Sequence, residues 1–158
     1  MTNKEIKIEY TEYDSIDSLC EEDRILARAA VDASATAYSP YSGFNVGAAL
    51  RLADGTIVTG SNQENAAYPS GLCAERTAMF YASAQYPDIP MKSIAIAGAK
   101  DRELCPTPAT PCGACRQVMA EYQRKGGMPM EIILVGSERI WKFRKVDDLL
   151  PLIFDSLY

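Results

Sequence analysis

Apolar and small residues recur along the chain first at helical and then at strand spacing. Over residues 16–38 they fall at Leu19, Ile25, Leu26, Ala29, Ala30, Ala33 and Ala37 with few breakers between, a pattern that predicts an amphipathic helix. The turn-rich "YSPYSGF" ends it. In "NVGAALRLADGTIVTGSN" two strand-like runs flank Asp54-Gly55, a hairpin signal that predicts an antiparallel pair. "CAERTAMFYASAQ" is rich in helix formers, "KSIAIAGA" is a short apolar run of the buried-strand type, and "PCGACRQVMAEYQRKGG" is a third helix with Pro111 at its entry and Gly126-Gly127 at its exit. "MEIILVG" reads as another buried strand, and "KVDDLLPLIFDSLY" as a short helix or turn with an apolar face. Strands alternating with helices after an initial hairpin predict an α/β fold, a three-layer α/β/α sandwich on a mixed sheet of about five strands.

Length and composition narrow this picture. A chain of 158 residues without repeats, low-complexity tracts or a long linker is expected to form one domain, 1–158, and 47% hydrophobic residues supply its core. The balance of 16 basic and 21 acidic side chains, with no Lys/Arg block, argues against nucleic acid as a partner. No apolar run approaches the roughly 18–20 residues that span a bilayer, and "MTNKEIKIEY" has neither the apolar stretch nor the cleavage site of a secretory signal. The expectation is a cytoplasmic chain without membrane contact. Five cysteines are an odd count, which favours metal or redox chemistry over a disulfide framework. There is no histidine, so the commonest metal ligand and the commonest general base are both missing.

The cysteines then carry the chemistry. Cys112 and Cys115 form a CxxC across a predicted helix start, where positions three apart share a face, and Cys73 opens another helix. With the two helix N-termini side by side, three thiolates converge where macrodipoles and unpaired N–H groups favour negative charge. That arrangement suits a tetrahedral zinc with its fourth position open to water, and deprotonating such a water requires a base. Glu75 is the carboxylate nearest Cys73 in the sequence. Residues two apart on a helix point about 200° apart, so Cys73 is expected at the non-helical cap, with Glu75 reaching the water rather than the metal. A buried thiol, a redox CxxC, or a closed structural zinc using Cys20 or Cys105 are the competing readings, the last weakened by the presence of a single CxxC.

"CAER" followed by "PCGACRQV" resembles the cytidine deaminase family, in the branch where a third cysteine replaces histidine. The resemblance runs through "FNVGAAL", "GSNQENAAYPSGLCAERTAMF", "PCGACRQVM" and "LLPLIF", about residues 44–154. It implies one Zn2+ per subunit held by Cys73, Cys112 and Cys115, with zinc hydroxide attacking C4 of cytosine and Glu75 shuttling protons as ammonia leaves. Arg76 is then the arginine that hydrogen-bonds the ligand sulfurs, offsetting the net −1 charge of three thiolates on a divalent ion. Phe44 packs on the pyrimidine, Asn62 and Glu64 bind the ribose hydroxyls, and Ala74, Tyr68 and Phe154 also contact substrate, Tyr68 and Phe154 across a subunit boundary of a homotetramer. A carboxylate at Glu64 would repel a nucleotide phosphate, which favours a nucleoside, cytidine or 2′-deoxycytidine, and a role in pyrimidine salvage. Deamination of another aminopyrimidine such as blasticidin S, or a catalytically inactive structural-zinc module, are the alternatives. Cys20 and Cys105 match no family position and are read as non-ligands.

Overall fold

A computed structural model describes residues 1–155. Three helices, α1 (Glu21–Ser34), α2 (Ala74–Gln85) and α3 (Gly113–Gly126), cover a mixed sheet. Its strands are β1 (Thr11–Tyr13), β2 (Phe44–Leu52), β3 (Ile57–Ser61), β4 (Met91–Lys100), β5 (Glu103–Leu104), β6 (Glu131–Val135) and β7 (Ile140–Phe143), in the order β1-β7-β6-β4-β2-β3, with β5 paired to β4. Among the described strands only β4 and β6 run parallel. Five strands have four or more residues; β1 and β5 are the short additions.

Alternation along the strands sorts the core into two layers. Ala49, Ala95, Ala97, Ile133 and Val135 face α1, packing on Leu26, Ala27 and Ala30. Their neighbours Ala48, Leu50, Ile94, Ile96, Ile132 and Leu134 face α2 and α3, where Ala78, Met79, Cys115 and Met119 meet them. The period of two therefore makes the sheet the middle layer of three. Two glycines set how closely the helices lie on it. A Cβ at Gly47 would stand 2.1 Å from the Ala30 carbonyl oxygen, and one at Gly60 would stand 2.6 Å from the Ala78 nitrogen, so α1 and α2 rest directly on opposite faces of the hairpin.

The N-terminal helix is shorter than its periodicity predicts. Ile16–Ser18 form a 3₁₀ turn, Leu19 is extended and buried, and α1 begins after Cys20 with Glu21, Glu22 and Asp23 in its first turn. Three acids at a helix N-terminus are favoured by the macrodipole, and this places the start there rather than at Ile16. Ile25, predicted on the apolar face, is exposed, because the buried stripe runs through Asp23, Leu26, Ala27, Ala30 and Ala33. The hairpin, α2, β4, α3 and β6 lie where the pattern puts them.

Strand β7, unassigned by pattern, is added beyond β6 and carries β1 on its outer edge. Trp141 donates its indole N–H to Glu12 (2.7 Å), and Tyr10 stacks on Phe143 at 5.2 Å. The C-terminal segment is a 3₁₀ turn, Val146–Asp148, with Val146 and Leu149 buried; the last three residues of that predicted element lie outside the described residues. Among the described residues no helix is long and apolar enough to cross a membrane.

Candidate active site

Helices α2 and α3 lie on one face of the sheet, and each begins with a cysteine. Cys73 caps α2 with an extended backbone (φ −70°, ψ 155°), and Cys112 caps α3 in nearly the same conformation (φ −67°, ψ 166°). Neither thiol is used for capping its own helix, so both are available to point across the gap. Cys115, one turn into α3, is fully buried beneath them.

The three sulfurs lie within 4.8 Å of one another. Cys73 to Cys112 is 3.9 Å and Cys112 to Cys115 is 3.5 Å. A tetrahedral zinc with Zn–S bonds of about 2.3 Å has sulfur–sulfur edges of ~3.8 Å, so these residues fit that ion in both chemistry and spacing. Arg76, one turn after Cys73, points an Nη at its sulfur (3.6 Å), while its Nε is buried without an acceptor among the described residues. A cationic donor with unspent capacity suits thiolates whose charge a divalent ion only partly cancels.

The thiols do not hold their protons equally. A hydrogen bond from Cys115, aided by Arg76, brings Cys73 down to about 5. Cys115 is pushed up for the complementary reason: it is the donor to Cys73, and it is buried. Metal binding would complete the deprotonation that Cys73 has begun. Glu75 is only 4% exposed, and burial raises its pKa, the negative Cys73 adding to the effect. Its own backbone N–H and Cys115 offset part of this. The extended cap at Cys73 takes that residue out of the helical progression, so the sulfur and the Glu75 carboxyl need not point oppositely as they would two apart in a regular helix.

Beside Cys73 opens a cleft of about 260 Å³, lined by Asn62, Gln63, Glu64, Asn65, Tyr68, Gly71, Leu72, Cys73 and Arg76. Asn62 is stapled to β2: its Oδ1 accepts from the Val46 N–H (2.7 Å), and its Nδ2 donates to the Phe44 carbonyl (2.9 Å). Glu64 accepts from the Tyr41 N–H (2.8 Å), the Ser42 N–H (3.2 Å) and the Ser42 hydroxyl. The Ser42 and Tyr41 donors hold its pKa below the usual carboxylate value. Tyr68 stands at the rim, 75% exposed, edge-on to Tyr41 at 6.0 Å.

Phe44, Ala74 and Phe154 do not line this cleft. The Phe44 ring lies over Gly98, and Ala74 is wholly buried in the core at the start of α2. Phe154 is exposed on the surface, its carbonyl accepting from Gln117 (2.7 Å). Cys20 and Cys105 take no part in the thiol cluster. Sequence reasoning passed over Gln63 and Leu72, which line the cleft, and Arg116. The Arg116 side chain donates to the Pro111 carbonyl (2.8 Å) and the Leu149 carbonyl (2.9 Å), fixing the peptide before Cys112 to the C-terminal segment.

The family profile "Cytidine and deoxycytidylate deaminase zinc-binding region" matches residues 20–127. The chain belongs to that family. It is 48% identical over 98 residues to the cytidine deaminase of Halalkalibacterium halodurans, covering 62% of this chain and 70% of that one. With the cytidine deaminase of Sporosarcina psychrophila it shares 51% identity over 94 residues, 60% of this chain and 64% of the relative. The crystal structure of cytidine deaminase from Burkholderia pseudomallei superposes with a TM-score of 0.70 at 41% identity, covering 82% of this chain and 97% of that one. This deaminase-family chain fits one zinc per subunit at Cys73, Cys112 and Cys115.

Proposed function

We propose that the chain, acting as a single domain, is a zinc-dependent hydrolase that deaminates cytidine and 2′-deoxycytidine to uridine and 2′-deoxyuridine with release of ammonia. The observation that carries this reading is the cluster of Cys73, Cys112 and Cys115 sulfurs within 4.8 Å, beside a carboxylate, Glu75, that burial has made a better proton acceptor than usual. When bound, zinc supplies Lewis-acid activation of a water at neutral pH.

The remaining work falls to the side chains. Glu75 takes the proton released by the water, gives it to N3 of the cytosine ring, and later carries the second water proton to the departing amino group. Both transfers surround one tetrahedral carbon, so a single fixed carboxyl can serve both. Arg76 shares the excess negative charge of the thiolates. Phe44 supports the base and Asn62 and Glu64 face the sugar, while Ala74, Tyr68 and Phe154 complete the substrate contacts. Ionised Glu64 accepts from a sugar hydroxyl and repels a 5′-phosphate, which favours a nucleoside over a nucleotide. Exposed Tyr68, Phe80, Tyr81, Leu152 and Phe154 supply apolar surface for a homotetramer in which neighbours complete each site. The setting is cytoplasmic pyrimidine salvage.

The experiment is zinc stoichiometry on purified protein together with the fall in ultraviolet absorbance on adding each candidate substrate. One zinc per chain with conversion of both nucleosides is the expected result. Faster turnover of free cytosine, CMP or blasticidin S would overturn the substrate assignment, and active protein without zinc would overturn the chemistry.

A further inference from the structure

The turn between α1 and β2 carries a hydroxyl whose two hydrogen bonds join the two halves of the proposed substrate site. Ser42 Oγ accepts from the Phe44 N–H at 3.0 Å and donates to Glu64 Oε1. The other carboxylate oxygen, Oε2, is taken by the Tyr41 and Ser42 backbone N–H groups. The two loops are zipped beside this point, since the Tyr38 N–H donates to the Asn62 carbonyl (3.0 Å) and the Glu64 N–H to the Tyr38 carbonyl (2.8 Å).

We infer that Ser42 is a positioning residue that orients the Glu64 carboxylate for recognition of a sugar hydroxyl, an inference that rests on the deaminase reading above. The direction of the Ser42 hydroxyl is dictated by its neighbours: with Phe44 N–H supplying a proton to the oxygen, the serine proton is left for Glu64. A carboxylate offers about four lone-pair positions. Three protein donors occupy all but one of them, so a substrate hydroxyl approaches Glu64 along a single remaining direction. Removing the Ser42 hydroxyl leaves the backbone N–H pair holding only Oε2, and the carboxylate is then free to rotate about that anchor. The cost falls on binding of the sugar. Ser42 is exposed and is not one of the clustered thiols, and its hydrogen bond to the Phe44 N–H is an exposed one that water can replace, so the loss falls on the Glu64 side of the site.

The test compares cytidine with 2′,3′-dideoxycytidine, which lacks the sugar hydroxyls at issue, on zinc-loaded full-length wild type, Ser42→Ala and Ser42→Thr. For Ser42→Ala the expected result is a KM for cytidine raised about tenfold with kcat within about twofold, the size of one lost hydrogen bond to a charged group. On 2′,3′-dideoxycytidine the variant should match wild type, and Ser42→Thr should restore cytidine. In a Glu64→Gln background the added Ser42→Ala change should have no further effect on KM. If Ser42→Ala does not fold, Ser42→Cys replaces it with the same expected split between substrates. Equal losses on both nucleosides, or a loss confined to kcat, would overturn this inference and leave the deaminase reading intact; a wild-type protein that turns over neither nucleoside would overturn both.

Discussion

Asp23 and Glu75 occupy matching places on opposite faces of one sheet, each in the first turn of a helix and each only 4% exposed. Asp23 meets the Lys142 ammonium at 2.6 Å, and Glu131 approaches the same ammonium at 3.2 Å. Burial pulls Lys142 toward neutrality, but the two carboxylates more than offset this, and its pKa stands above the usual lysine value. Among the described residues Glu75 forms no ion pair; Cys73 and Cys115 lie beside it, and the nearby Arg76 offsets only part of the effect of burial. A buried carboxylate supplied with a cation is a cross-link between α1 and β7. One that is buried without an ion-pair partner binds its proton more tightly and becomes a group that can transfer it.

Removing the charge from each carboxylate separates the two roles. Glu75→Gln should lower kcat on cytidine by about 10²- to 10⁴-fold, the range for losing a general acid–base group. Zinc content by elemental analysis and the thermal midpoint should stay at wild-type levels. Near-normal turnover would erase the distinction between the two carboxylates.

The opposite outcome is expected at the structural carboxylate. Asp23→Ala leaves Lys142 largely buried with Glu131 as its remaining partner, and should cost about 2–3 kcal/mol in a urea titration. This is less than the ~3–5 kcal/mol for breaking a fully enclosed pair, because one carboxylate is retained. The kcat of the folded protein should be unchanged.

The smallest effect is a pH dependence. Because the folded Lys142 pKa is raised, its contribution to stability is fully present below the ordinary lysine value and is lost as pH rises through the higher folded value. Thermal midpoints of wild type minus those of Asp23→Asn should therefore be constant at neutral pH and converge on the alkaline side. A difference that grows with alkaline pH would contradict the pairing.

Much of this fold was legible because its signals are local. The Asp54-Gly55 turn, the strand-like run of β2, the short apolar run of β4 and the proline and glycine punctuation of α3 each act within a few residues. Strand β7 escaped because it is four residues long and includes Lys142, whose polar head reads as surface until Asp23 covers it. The start of α1 was misplaced for a related reason. Ile16 and Leu19 are apolar at helical spacing, yet Leu19 reaches the core from an extended backbone. In the site, cysteine and glutamate could be picked out by chemistry and spacing. Ser42 and Arg116 could not be separated from ordinary loop and helix residues, since what distinguishes them is which carbonyls and carboxylates they reach.

By itself the sequence determined which groups this protein can use: three thiols, one neighbouring carboxylate, no imidazole, and helix starts that favour negative charge. These follow from residue identity and short-range backbone preference. Tertiary structure alone decided that Cys73 meets Cys112 across 39 residues, and that Asp23 meets Lys142 across 119. Both meetings depend on strand order and on which face each helix covers. It is this layering that supplied Asp23 with a cation and left Glu75 in a buried site among thiols, where its proton is held more tightly.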